Sequence, residues 1–388
     1  MRTASSLLRR RGGPDSGRVG AIELFFDLVF AFAVTQLSHA LLADLTGAGA
    51  LRVAFLLFAV WWVWIYTSWV TNWLDPERPV VRLALLVLML AGLVLAVTLP
   101  GAFGARGLVF AGAYVFMQVG RTIFMLWALA DESQALHANF RRILVWFALS
   151  AVFWLAGGIS TGATRFLSWT LALAIDLIGP LAYFRVPGLG RSSAAEWNID
   201  PGHMAERCGL FVIIALGESL LITGATFTTL DWSASGFAAF VVAMLGSVAM
   251  WWLYFDTGAG RGHHAMAHAA LPGRIARLAY TYLHVLIIAG IIVCAVADEI
   301  ALVHPGHASG PAIAAIVGGP AIYVLGNALF KWVTNKRPLP PLSHVAGLVL
   351  LALLMFPALQ HALTALQLSA LTTGILVMVA TWERKSLS

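Results

Sequence analysis

Charged residues are scarce in this 388-residue chain: Asp, Glu, Lys and Arg make up 11% of it, whereas hydrophobic residues make up 60%. A soluble protein carries about 25% charged residues, so the composition excludes an ordinary water-soluble globular domain. The chain has two cysteines, Cys208 and Cys294, and both lie in apolar runs. Neither a disulfide framework nor a cysteine-based metal site is therefore indicated.

The motifs of soluble enzymes are also missing. The glycine-rich run GGISTGATR (157–165) has no predicted strand before it and no Lys-Ser pair, so it does not predict a nucleotide-binding loop. Ser219 lacks the strand–turn–helix context of a hydrolase nucleophile, and no catalytic residue is assigned. One polar loop contains three histidines, namely His263, His264 and His268. A hydrophilic loop is favoured over a metal site there, because no nearby Cys or carboxylate completes a ligand set, and no metal or other cofactor is predicted.

Apolar runs long enough to cross a bilayer recur along the chain. A helix needs about 20 apolar residues to cross a hydrocarbon layer of roughly 30 Å. Twelve such runs are predicted as transmembrane helices, at roughly 21–43, 50–73, 80–99, 107–130, 142–160, 166–186, 206–228, 234–255, 275–297, 311–333, 342–360 and 363–381. Loop residues separate them, as in LDPERP (74–79) and NKRPLPP (335–341). The predicted fold class is an all-α polytopic membrane protein, with the lipid bilayer as its first partner.

The distribution of basic residues supports this count. With both termini in the cytoplasm, 20 of the 24 Lys and Arg residues fall on the cytoplasmic side. Arg52, Arg106 and Arg165 fall outside, and Arg121 lies within a predicted helix. This is the positive-inside pattern, and it predicts a multi-pass protein of the plasma membrane. The basic residues are scattered between apolar runs, so no nucleic-acid partner is predicted despite the net charge of +6.

Two aromatic motifs recur in the same order along the chain. WWVWIYTSW (61–69) is matched by WWLYFDTG (251–258), and VGRTIFMLW (119–127) by LGNALFKW (325–332). Chance recurrence in a Trp-rich chain is the alternative. We predict a basic disordered cytoplasmic tail, a six-helix half, a cytoplasmic linker and a second six-helix half, at 1–20, 21–190, 191–205 and 206–382. Because six is even, both halves enter the membrane from the same side, which makes the repeat parallel.

Four ionisable residues lie well inside predicted helices: Asp27, Arg121, Asp176 and Glu218. A charge at the centre of a membrane span costs roughly 2.5–3.5 kcal/mol, so such residues are paired or functional. At 1.5 Å per residue they lie roughly 9, 13, 15 and 18 Å from the cytoplasmic ends of their helices. The similar depths predict a buried polar centre around Arg121, with Arg121 as the partner of Asp27. A set of fixed ion pairs that orders the bundle is the alternative.

Helical periodicity groups further residues around these charges. One face of the first helix, about 80° wide, carries acids and small residues, namely Glu23, Asp27, Ala31, Val34 and Ser38. On the seventh helix, Glu206, Gly217 and Gly224 share a face suited to close helix approach, and Glu218 points elsewhere. The residues predicted to support a substrate or ion pathway are Glu23, Glu206, Arg207, Gly217 and Ser219.

Three stretches carry a resemblance to a known family. ELFFDLVFAFAVTQLSHAL (23–41), DLIGP (176–180) and HMAERCGLFVIIALGESLL (203–221) closely resemble the bacterial low temperature requirement A family. The similarity covers most of the chain. It implies a membrane location and a connection with growth at low temperature. The family's most characteristic positions coincide with Glu23, Asp27, Asp176, Glu206, Arg207, Gly217 and Glu218.

A second, shorter similarity concerns the start of the first helix. FFDLVFA (25–31) is similar to the FSD-x-x-x-A pattern of a potassium-channel family that is also built from six-helix units. Phe25, Asp27 and Ala31 match, whereas Phe26 replaces the serine. GLFVIIALGES (209–219), in the second half, has no aspartate at the matching place.

Three functions follow as hypotheses. Twelve helices with ionisable groups near the midplane favour a transporter or permease of a small solute or ion, and an enzyme is less favoured. The channel-like motif makes a cation channel the first alternative. The link with cold growth makes a membrane-embedded lipid-modifying or cold-adaptation factor the second. The identity of the solute or ion and the formation of a homo-oligomer stay open.

Overall fold

The structure, a computed structural model, describes residues 6–9, 17–193, 199–256, 272–334 and 338–386. Within these residues it is all-helical, with two isolated β-bridges and no strand, which confirms the predicted fold class. The long helices, numbered α1 to α12 in chain order, are Ala21–Ala43, Gly47–Trp73, Pro79–Thr98, Gly107–Ala128, Gln134–Ile159, Gly162–Leu181, Pro201–Thr228, Ala234–Tyr254, Ala276–Val303, Gly310–Thr334, Leu342–Leu359 and Ala365–Lys385.

All twelve predicted runs are helical, but eleven of the helices in the described residues are long and apolar enough to span a membrane, not twelve. The exception is α6, which carries Arg165 and Asp176 among several Gly, Ser and Thr residues that lower its hydropathy. The chain is therefore a multi-pass membrane protein.

Two helix boundaries differ from the prediction in ways that matter for charged residues. The helix α5 begins at Gln134, well before the predicted start near 142, because the Ser133 side chain caps it and accepts a hydrogen bond from the Leu136 N–H. The helix α9 continues to Val303 instead of ending near 297, so Asp298 lies within it. Apolar content alone misses such polar helix ends.

The helix α4 is not a uniform α-helix. Gly107–Val115 and Arg121–Ala128 are α-helical, and Phe116–Gly120 between them forms a π-helical turn. Such turns are rare and occur frequently at functional sites. The turn directly precedes Arg121.

The chain divides into two compact units. The first contains the described residues within Met1–Gln36, Phe58–Arg207 and Ala270–Arg277. In it α5 packs against α4 and α6, and α3 packs against α4. Arg165 joins two of its loops, donating hydrogen bonds to the carbonyl oxygens of Ala102 and Ser160, both at 2.9 Å.

The second unit contains the described residues within Leu37–Leu57, Cys208–Ala269 and Leu278–Ser388. Its most extensive contact is between α9 and α10, where glycines allow the backbones to approach closely. A Cβ atom at Gly290 would lie 2.6 Å from the backbone of Tyr323, and one at Gly319 would lie 2.8 Å from the backbone of Cys294. The helix α12 packs against α8 and α10.

Part of the predicted disordered tail is held in place. The backbone N–H of Arg9 donates to the Trp73 carbonyl at 2.8 Å, and the Asp75 N–H donates to the Leu7 carbonyl at 2.8 Å. Residues 6–9 therefore pair with the C-terminal end of α2. The histidine loop around His263 lies outside the described residues, as does 194–198 of the predicted linker.

Candidate functional site

The main cluster of buried charges is formed by α1 and the start of α7, within the first unit. Glu23 and Asp27 are one helical turn apart on α1, and both are fully buried. Arg207 of α7 contacts both: its Nη2 lies 2.7 Å from Asp27 Oδ1, and its Nη1 lies 3.2 Å from Glu23 Oε1. One guanidinium group thus connects two intramembrane carboxylates.

Asp27 uses its two carboxylate oxygens unequally. Oδ1 accepts hydrogen bonds from Arg207 and from the indole N–H of Trp64, both at 2.7 Å. Oδ2 is buried and has no hydrogen-bond partner among the described residues. The Arg207 guanidinium also lies over the Trp64 ring, 5.6 Å from its centre. A buried bare carboxylate oxygen is costly, so Asp27 is a candidate functional residue; Oδ1 of Asp176 is buried and bare in the same way.

Glu23, in contrast, is fully satisfied. Its Oε2 accepts from Arg9 Nη2 at 2.6 Å and from the Gly20 N–H at 2.9 Å. Its Oε1 lies 2.9 Å from His203 Nε2. Two cations and a histidine therefore surround Glu23, which makes it the anchoring carboxylate of the pair.

The hydrogen bonds around His203 define its tautomer. Asn72 Oδ1 accepts from the Asp200 N–H at 2.8 Å, so the Asn72 amide nitrogen faces His203 Nδ1 at 3.2 Å and donates to it. With this orientation, a neutral ring carries its proton on Nε2 and donates it to Glu23, and Arg9 Nη2, 3.1 Å from Nε2, then donates to Glu23 and not to the ring. Two carboxylates and two guanidinium groups then balance to zero net charge in the cluster.

A second network runs along α4 to α6. Arg121 donates to the Gln118 side-chain oxygen, Gln118 Nε2 donates to the Tyr114 hydroxyl at 3.2 Å, and that hydroxyl donates to Asp176 Oδ2 at 2.8 Å. Trp154 also donates to Asp176 Oδ2, at 3.0 Å. Every donor points the same way, so the chain of hydrogen bonds links the cation to the carboxylate without direct contact. The π-helical turn contains Gln118.

The predicted pairing of Arg121 with Asp27 is wrong. Arg121 donates to the Val63 carbonyl at 3.1 Å and to the Thr67 hydroxyl at 3.0 Å on α2, whereas Asp27 is held by Arg207. Similar depth predicted the pair, but depth does not specify in which direction around its helix a side chain points. The two networks meet on α2, since Val63 and Trp64 are adjacent residues.

The remaining predicted site residues are not part of these networks. Gly217 and Glu218 are half-buried and lie in the second unit, as does the buried Ser219. Glu206 is exposed and accepts a hydrogen bond from the Val19 N–H at 3.2 Å. The close helix approach predicted at Gly217 and Gly224 is also wrong within the described residues, because a Cβ atom at either would meet nothing within 4 Å.

The second unit holds a buried ion pair that the sequence reasoning missed. Lys331 of α10 lies 2.6 Å from Glu383 Oε2 of α12 and donates to the Leu253 carbonyl of α8 at 2.8 Å. His344 of α11 lies 3.4 Å from the Lys331 amine. Lys331 stands near the end of its helix, so from sequence it counts among the cytoplasmic basic residues, and no buried partner is assigned to it.

Buried charges on membrane-spanning helices define this class of protein: a multi-pass helical membrane protein with intramembrane polar networks. No group of three or more His, Cys, Asp or Glu residues in the described part of the chain could hold a metal ion.

The model of the bacterial low temperature requirement A protein family matches residues 18–381, and the chain belongs to this family. An uncharacterized protein of Rhizobium meliloti (strain 1021) is 39% identical over 376 residues, which cover 96% of this chain and 91% of that protein. No solved structure matches the chain.

Proposed function

We propose that the protein is a plasma-membrane transporter of a small solute or ion in which Asp27 binds and releases a proton. The observation that carries the proposal is the buried Oδ2 atom of Asp27, which has no hydrogen-bond partner among the described residues. Titratable carboxylates at such depth are typical of proton pathways in pumps and transporters.

The contacts of Asp27 favour a proton over a metal ion. The groups on this carboxylate are the N–H donors of Trp64 and Arg207, and an N–H group repels a metal cation. A metal ion requires several oxygen ligands, whereas a proton requires one oxygen. Oδ2 of Asp27, which has no hydrogen-bond partner among the described residues, is one oxygen atom to which a proton can bind.

Arg207 supplies a way to couple proton binding to movement. When Asp27 is charged, Arg207 is shared between Asp27 and Glu23. Protonation of Asp27 removes one of the two attractions, and Glu23 retains the guanidinium. The preferred position of Arg207 between the two carboxylates of α1 then depends on the charge of Asp27. A structural element with two such positions is what transport requires.

A structural correspondence between the two units supports the proposed parallel repeat. In the first unit Arg121 of the fourth helix donates to the carbonyl of Val63. In the second unit Lys331 of the tenth helix donates to the carbonyl of Leu253. Val63 and Leu253 hold the same position in the aromatic motifs WWVWIYTSW and WWLYFDTG. Parallel six-helix halves with both termini in the cytoplasm match the architecture of known secondary transporters.

Proton flux into proteoliposomes tests the proposal. Vesicles that contain the purified chain and the pH-sensitive dye pyranine are given a potassium diffusion potential, negative inside. Wild-type protein should acidify the lumen, and Asp27→Asn should reduce the rate to that of empty vesicles. Asp131→Asn, at an exposed aspartate of the α4–α5 loop, is the matched control and should retain the wild-type rate.

Two results would overturn the proposal. Equal flux in wild type and Asp27→Asn would show that Asp27 is a structural group. Unitary currents across planar bilayers that persist in Asp27→Asn would indicate the cation channel. In both cases, the folded state of the variant is checked by size-exclusion chromatography before reconstitution.

A further inference from the structure

Another intramembrane carboxylate, the half-buried Asp298, lies in the last turns of α9 and borders a small cavity in the second unit. Its carboxylate has no hydrogen bond or ion pair with a described residue, and no Lys, Arg or His lines the cavity. An intramembrane carboxylate without a cation partner is a functional-site candidate on energetic grounds alone.

Residues with hydroxyl groups line this cavity from the facing helix. Ser369, Thr372 and Thr373, on α12, line it together with Asp298. Ser369 is buried, with a relative exposure of 7% for the whole residue, and its Oγ has no hydrogen-bond partner among the described residues. The Thr372 hydroxyl donates to the Ser369 carbonyl at 3.0 Å, so the lone pairs of the hydroxyl oxygen stay free to bind a cation.

A proline in α10 supplies a further oxygen. Pro320 lies inside the helix and, having no N–H, cannot donate to the carbonyl of Ile316 four residues earlier. Ile316 and Pro320 both line the cavity. Carbonyl oxygens released from helical hydrogen bonding coordinate sodium ions in secondary transporters.

The size and charge of the cavity limit what it can hold. Its volume is about 20 Å³, slightly more than the ~10–15 Å³ that one water molecule needs. An organic solute is therefore too large. One carboxylate among neutral oxygens balances a single positive charge, whereas a divalent ion would leave the site with a net positive charge, and the cavity has no room for the several water molecules that Mg²⁺ keeps.

We infer that Asp298, with the hydroxyl groups of Ser369 and Thr372 and the released carbonyl of Ile316, forms a binding site for a small monovalent metal cation, represented by Na⁺. This site uses several oxygen donors, in contrast with the N–H donors around Asp27. It is separate in residues and in chemistry from the proton site of the proposed function.

Equilibrium binding of radioactive ²²Na⁺ to the purified full chain in detergent tests the inference, with choline chloride holding the ionic strength constant. Wild-type protein should bind Na⁺ saturably, and Na⁺ should raise its melting temperature relative to choline. Asp298→Asn should abolish both effects. Ser369→Ala removes one neutral ligand and should weaken the apparent Kd roughly tenfold.

The adjacent Glu299 provides a matched control, because it carries the same charge on the same helix and does not line the cavity. Glu299→Gln should bind Na⁺ as wild type does. A second variant, Gly246→Ala, changes no charge and places a methyl group in the lining of the cavity, 3.3 Å from the Thr373 hydroxyl. It should weaken Na⁺ binding, and it tests the site even where Asp298→Asn does not fold.

Absence of saturable Na⁺ binding to the wild type would overturn the inference, as would undiminished binding in Asp298→Asn or in both Ser369→Ala and Gly246→Ala. A melting temperature that changes with pH but not with Na⁺ would also overturn the inference. The assay measures binding without transport, so its failure leaves the proton flux through Asp27 untouched, and a failed flux assay leaves this site untouched.

Discussion

Arg207→Met removes the guanidinium group that contacts both buried carboxylates of α1, and the two carboxylates are affected unequally. Glu23 keeps Arg9 and His203 as partners. Asp27 keeps the indole N–H of Trp64, its other hydrogen-bond donor among the described residues. Most of the cost therefore falls on Asp27.

The expected magnitude follows from that asymmetry. Removing one partner of a buried ion pair costs about 3–5 kcal/mol, because the other charge stays buried without compensation. Asp27→Asn is milder: the amide oxygen still accepts from Trp64, and Arg207 still contacts Glu23, so a loss of about 1–3 kcal/mol is expected. The double variant removes both charges and should lose at least ~2 kcal/mol less than the sum of the single losses.

Unfolding of the purified protein by SDS in mixed micelles, followed by tryptophan fluorescence, measures these differences. The four proteins of the cycle are compared at the same pH and lipid content. The coupling should clearly exceed the ~0.6 kcal/mol average measured for neutral hydrogen bonds between transmembrane helices. Single-variant losses that add to within about 0.5 kcal/mol would refute the account of Arg207 as the shared partner.

Further substitutions test three other contacts in the same unfolding assay. Arg9→Ala removes the side-chain contacts of Arg9 with the Thr71 carbonyl of α2 and with Glu23 of α1, and should cost about 1–3 kcal/mol; an unchanged midpoint would mean that the Arg9 side chain does not stabilise the fold. Gly290→Ala places a Cβ atom 2.6 Å from the backbone of α10 and should also cost about 1–3 kcal/mol. Gly318→Ala meets nothing within 4 Å and should change stability by less than about 0.5 kcal/mol, so equal effects at the two glycines would contradict the packing of α9 on α10. Lys331→Met should cost about 3–5 kcal/mol, and adding Glu383→Gln should recover part of this loss; no recovery would contradict the buried pair.

The helices of this protein are largely predictable from its sequence, because each hydrocarbon crossing requires a long apolar run. The errors occur where polar residues stand at helix ends. Asp298 was placed beyond the ninth helix because the apolar run ends at residue 297, yet the helix continues to Val303. The π-helical turn at Phe116–Gly120 leaves no hydrophobic signal and could not be predicted from apolar runs.

The site is predictable in part. The spacing of Glu23 and Asp27 places them on one face of α1, and His203 and Arg207 have the same four-residue spacing on α7, a signal that could have identified His203. The contact between Asp27 and Arg207 joins residues 180 positions apart. Such pairing depends on how helices rotate and pack, which depth along the membrane normal does not determine. The prediction that pairs Arg121 with Asp27 is wrong because it relies on depth alone.

Infrared difference spectroscopy of the reconstituted protein between neutral and acidic buffer tests the central claim, that Asp27 takes up a proton, most directly. Protonation of a buried carboxylate creates a carboxylic C=O stretching band. The account predicts a component of this band that is present in wild type and in Asp131→Asn and is missing in Asp27→Asn. A band of the same position and intensity in Asp27→Asn would contradict it.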